Sequence, residues 1–82
     1  MAMYTVTIRT LGSTSTARTT RMRSPATETE AELYDRAVAK LYPGCHFHGD
    51  LPGHSNVGRI ASPGRFGGTD LHARVRIDTE RC

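Results

Sequence analysis

Residues 3 to 10, MYTVTIRT, alternate apolar and polar. Tyr4, Val6 and Ile8 point one way and Thr5, Thr7 and Arg9 the other, which predicts a half-buried strand. Leu11-Gly12-Ser13 reads as a turn. Residues 14 to 23, TSTARTTRMR, are rich in threonine, which favours strand. Their alternation is poor, because Ala17 and Met22 fall on opposite faces unless a bulge intervenes. The expectation is an edge strand hairpinned to the first, with a flexible Thr/Ser/Arg arm as the alternative. Ser24-Pro25 then breaks the strand.

The clearest signal follows. Thr27 with Glu30 three residues on has the form of a capping box, and Glu28, Glu30 and Glu32 load the first turn with the charge that suits a helix N-terminus. Tyr34, Ala37, Val38 and Leu41 keep the i, i+3, i+4, i+7 spacing, flanked by Leu33. Glu32 and Arg36 stand i, i+4 on the opposite side. Pro43-Gly44 ends the pattern. One amphipathic helix over about residues 28 to 42 is predicted. Beyond a polar segment, Asn56 to Ser62 reads as a short strand, and Pro63-Gly64 with Gly67-Gly68 frames a turn around Phe66. Residues 70 to 78, DLHARVRID, alternate without a break, with Leu71, Ala73, Val75 and Ile77 facing in and His72, Arg74, Arg76 and Asp78 facing out.

The predicted order is therefore β-β-α-β-β: a single α+β domain over residues 1 to 82, with about four mainly antiparallel strands and one helix packed on one face. The order also suits a β-grasp layout like that of ubiquitin-like folds: an N-terminal hairpin, one helix, then a last strand beside the first. The likeness lies in element order and length alone, and the chain ends ERC without a Gly-Gly tail. Val6, Ile8, Leu33, Val38, Leu41, Ile60, Leu71, Val75 and Ile77 are the expected core. A chain this short buries only roughly 60% of its unfolded surface, which leaves little material for a deep catalytic cleft.

Charge changes the picture on the open side of the sheet. Ten of the eleven basic residues are arginine, against eight acids. Codon bias alone can produce that ratio. Physically, guanidinium forks match carboxylate or phosphate bidentately. With one helix, one sheet face stays open, and the alternation puts Arg9 there from the first strand and His72, Arg74 and Arg76 from the last. Arg18, Arg21 and Arg23 on the second strand join according to where a bulge falls. Arg9, Arg21, Arg23, His72, Arg74 and Arg76 are the candidate partner-binding residues. The bland alternative is a solvated face whose charges discourage aggregation. An acidic protein surface or protein complex is the expected partner, with the chain a monomer or a homodimer. Small size and the lack of enzymatic motifs fit an accessory protein of a phage or mobile element that binds and inhibits a host or defence complex. Nucleic acid is the alternative. No aromatic pair falls on outward strand positions for base stacking, and one helix makes no helix-turn-helix.

The segment GCHFHGDLPGH, residues 44 to 54, holds the densest chemistry. Cys45, His46, His48 and His54 are zinc-ligand types, but the segment has no C-x-x-C pair and none of the recurring finger spacings. Zinc is thus a third reading, beside a loop in which Phe47 and Leu51 tuck into the core and the histidines stay wet. Catalysis by Cys45 with a histidine base, or by Asp50, His54 and Ser55, would need a geometry that three residues of one short loop rarely reach. GRFGG, residues 64 to 68, lacks the G-K-[ST] of a phosphate loop. The expectation is a non-enzymatic protein without a cofactor. The N-terminal residues have no apolar h-region, no stretch nears the ~20 residues of a membrane span, and the cytoplasm is the expected compartment. Both cysteines, Cys45 and Cys82, are then expected as thiols, with Cys82 fraying at the end of the chain.

Overall fold

The computed structural model describes residues 2–12, 16–50 and 56–82. The order of elements is β1 (Ala2–Thr10), β2 (Ala17–Ser24), α1 (Glu30–Leu41), β3 (His46–Gly49), β4 (Val57–Pro63) and β5 (Thr69–Arg81). The five strands form one antiparallel sheet in the order β2-β1-β5-β4-β3, with α1 on one face, so the fold is α+β. The fifth strand corrects the expected four: His46–Gly49 pairs with β4 from His46↔Ala61 to Gly49↔Gly58. The last strand does lie beside the first, but runs antiparallel to it, whereas the two central strands of a β-grasp run parallel.

The first hairpin forms because β1 and β2 pair in unbroken register from Ala2↔Ser24 to Arg9↔Ala17. With no bulge, Met22 turns inward and is buried, while Ala17 lies outward and exposed. The helix starts two residues later than its charge pattern suggested. Glu28 closes a turn with its N–H on the Pro25 carbonyl at 3.0 Å, and Thr29 becomes the N-cap. Thr29 Oγ1 accepts from the Glu32 N–H at 3.2 Å, and Glu32 Oε1 accepts from the Thr29 N–H at 3.3 Å. The capping box is therefore Thr29/Glu32 rather than Thr27/Glu30. The Tyr42 N–H on the Val38 carbonyl, at 2.7 Å, closes the other end.

Leu33, Tyr34, Ala37 and Val38 of α1 pack on Val6 and Ile8 (β1), Met22 (β2), Ile60 (β4) and Val75 and Ile77 (β5). Leu41, Tyr42, Cys45 and Phe47 border this core, and the Phe47 ring meets Tyr34 edge-on at 5.7 Å between centroids. Leu71 is not in the core: it is 48% exposed. Between Arg59↔Arg74 and Ala61↔Leu71, β4 advances two residues while β5 advances three. That bulge in β5 reverses the alternation and sends Leu71 to the side opposite Val75.

The helix also guards both edges of the sheet. On β2, Lys40 Nζ donates to the Arg21 carbonyl at 3.2 Å and Arg36 Nη2 to the Arg23 carbonyl at 2.7 Å. On β3, the Phe47 N–H donates to Asp35 Oδ1 at 2.8 Å. Backbone groups that would invite another strand are thereby occupied. Among the described residues no helix is long and apolar enough to cross a membrane.

Candidate functional site

No described element packs on the sheet face opposite α1. Register and alternation determine which side chains reach it. Ile8 and Ile77 face each other across β1 and β5 in the core, so their neighbours Arg9 and Arg76, also directly paired, point outward together. One step along, Arg74 of β5 pairs with Arg59 of β4, and Arg59 pairs with His48 of β3. On β2, Arg21 stands across from Thr5, and Arg23 from Met3. Thr7 and Thr19 lie between, their hydroxyls 3.1 Å apart.

Five of the six sequence candidates thus share one face: Arg9, Arg21, Arg23, Arg74 and Arg76. His72 does not join them. The bulge turns it to the helix side, where its Nε2 lies 2.7 Å from the Ser62 hydroxyl, two residues along β4 from buried Ile60. Arg18 also leaves, because it pairs opposite Ile8 and so faces inward. Its Nη1 donates to the Leu41 carbonyl at 2.7 Å, and its guanidinium lies 4.2 Å from the centre of the Tyr42 ring. In their place come Arg59, His46 and His48. Arg59 could have been found, since inward Ile60 in the expected third strand, residues 56 to 62, requires Arg59 outward. The histidines could not, because their segment read as a loop.

The charges on the face are unevenly matched. Arg74 Nη2 meets Asp50 Oδ2 at 2.5 Å, and Arg76 Nε meets Asp78 Oδ2 at 3.2 Å. Glu80 stands across from Thr5. Arg59 donates weakly to the His72 carbonyl at 3.4 Å. Among the described residues, Arg9, Arg21 and Arg23 have no carboxylate partner. Arg9 against Arg76 and Arg59 against Arg74 are like charges placed directly opposite, an arrangement that disfavours strand pairing and that the Asp78 and Asp50 contacts offset on one member of each pair.

The Cys/His segment divides across the sheet. Cys45 borders the core, whereas His46 and His48, alternating with inward Phe47, point outward. His54, Leu51 and Ser55 lie outside the described residues. Among the described residues, no group of three His, Cys, Asp or Glu stands together in a way that could hold a metal ion. Both cysteines are thiols. Cys82 continues β5, its N–H on the Met3 carbonyl at 2.9 Å and its sulfur 3.3 Å from Thr5 Oγ1.

Compared with protein-family models, curated proteins and solved structures, the chain matches none of them.

Proposed function

We propose that this chain is a non-enzymatic binding module whose outer sheet face meets an acidic protein surface or protein complex. The two opposed arginine pairs, Arg9–Arg76 and Arg59–Arg74, carry this reading. Each weakens the sheet, and no contact within the described residues repays that loss for Arg9. A partner that brings carboxylates between the forks removes the repulsion and gains charge-assisted, bidentate hydrogen bonds. The interspersed Asp50, Asp78 and Glu80 favour a patterned protein surface over a run of phosphates, which each carboxylate would repel. A small inhibitor of a host or defence complex, supplied by a phage or mobile element, is the kind of protein this describes.

Nucleic acid is the second reading, favoured by His46 and His48, whose ring nitrogens extend the polar surface beside the arginines to β3. Arg9→Glu with Arg59→Glu tests both readings. It puts a carboxylate opposite Arg76 and another opposite Arg74, so the fold is kept while the face loses its charge. Proteins captured from cell extract by the wild-type chain should be lost by this variant, and the loss should be reproduced with the purified partner by calorimetry. Capture unchanged by the double reversal would rule out the face as the site. Binding to unrelated DNA and RNA sequences with equal strength and a steep salt dependence would establish the second reading instead.

A further inference from the structure

The β4–β5 ribbon reaches past its neighbours. β1 pairs with β5 no further than Val75, and β3 pairs with β4 no further than Ala61, yet β4 and β5 continue through Ser62↔Asp70 to Pro63↔Thr69. The tip beyond is Gly64-Arg65-Phe66-Gly67-Gly68, and Phe66 is 97% exposed. A two-residue turn suffices to reverse a hairpin. Here a longer tip is held closed by the Gly64 N–H on the Gly68 carbonyl at 3.0 Å and the Gly67 N–H on the Gly64 carbonyl at 3.3 Å. A Cβ at Gly64 would strike the Gly67 carbonyl, and Gly68 holds a φ of 75°, which side chains rarely adopt. The sequence thus commits several glycines to a set tip conformation that leaves its one large apolar side chain in water. An exposed ring contributes nothing to folding. Seated in a dry pocket, it is worth about 1.5–3 kcal/mol.

We infer that Arg65–Phe66 is a preorganised anchor that seats Phe66 in an apolar pocket of a protein partner, with Arg65 meeting carboxylates at the pocket rim. The inference rests on the reading of the outer face as an interface with an acidic protein, and adds a second point of contact to it. Arg59 and Arg74 stand on the same ribbon, so an acidic surface under the face continues naturally to an acidic rim around the tip. Aromatic residues, Phe among them, and arginine are both enriched at protein interfaces. A second copy of this chain is a poor receiver. One cleft among the described residues, of about 240 Å³ and lined in part by Tyr4, Ser24, Pro25, Glu28 and Arg81, sets Arg81 against the incoming Arg65, and Glu28 is already bound to Arg36. A lipid surface is poor too, because one ring has no apolar neighbours at the tip to share its insertion.

The test replaces Phe66 in the full chain with a photo-crosslinking phenylalanine analogue, illuminated in the cells the protein comes from. The expected product is one adduct with a protein, lost when Arg9→Glu and Arg59→Glu are added. With that protein purified, Phe66→Ala should weaken binding about 30-fold or more, and Arg65→Glu and Gly64→Val should also weaken it. The melting temperature of Phe66→Ala should not change, because its ring is exposed. Adducts with nucleic acid, with a second copy, or with nothing at all would overturn the anchor, and the outer-face variant would then be judged separately by its own capture experiment. An adduct that survives the double arginine reversal would support the anchor and refute the face.

Discussion

Arg36 ties the helix to the end of β2 through one carboxylate. Its Nε and Nη2 donate to Glu28 Oε2 and Oε1 at 2.6 and 2.8 Å, and Ser24 Oγ donates to the same Glu28 Oε1 at 2.7 Å. The i, i+4 partner expected from the helix pattern, Glu32, is occupied instead by the Thr29 cap. Arg36 holds the Glu28 carboxyl below its ordinary value of 4.5 first through these hydrogen bonds, and Ser24 adds to the effect. The sign of the pH dependence follows. The unfolded chain takes up its proton at the ordinary value, the folded one only at lower pH. The stabilisation is therefore complete above about pH 4.5 and is lost as pH falls through the lower, folded value. Thermal melts on either side of this range should show a fall in the wild type that is markedly shallower in Glu28→Gln. Parallel curves for the two proteins would mean that the Glu28 pair does not couple protonation to folding.

At the scale of elements, β1 and the helix were legible because each is long enough for its periodicity to show, whereas β2 was read from its threonines against a poor alternation. Val6 and Ile8 on one side and Leu33, Tyr34, Ala37 and Val38 on the other are buried where alternation and helical spacing put them. Two features were not legible. β3 is four residues with a single inward apolar position, Phe47, too short to display a period of two, and its chemistry-rich letters pointed to a loop. The bulge in β5 leaves the pattern DLHARVRID unbroken in sequence while reversing it in space, so Leu71 and His72 were both assigned to the wrong face. The candidate face survived because Arg74 and Arg76 lie on the far side of that bulge from His72. Short β3 in turn depends on the helix, whose Asp35 carboxylate accepts the Phe47 N–H. Asp35→Ala should cost about 1 kcal/mol and speed amide exchange at Phe47 well beyond that of Ile77 in the central strand. Unchanged exchange at Phe47 would show that pairing with β4 alone holds β3 in place.

Over the whole molecule, the two sheet faces answer to different demands. Among the described residues, the helix side gathers every buried large side chain, and the same helix occupies edge groups on β2 and β3, so the sheet has few ways to extend into another. The other side holds no buried large side chain among the described residues. Its arginines face each other across β1, β5 and β4, where threonines or opposite charges would serve the sheet better. A small domain has a narrow margin, so even a modest repulsion between these pairs bears on its stability. The consequence is measurable without knowing the partner. Arg9→Thr and Arg59→Thr each remove one member of an opposed pair, and each should raise stability by about 0.5 kcal/mol. The two sites share no hydrogen bond, so their effects should add to about 1 kcal/mol, a rise of some 4–8 °C in melting temperature for a chain of this size. The gain should shrink as salt is added, because the repulsion it relieves is screened in water. A double variant that melts at or below the wild type in low salt would mean that the paired arginines already find relief in water, through Asp50 and Asp78. The case for a face held ready for a partner would then lose its energetic basis.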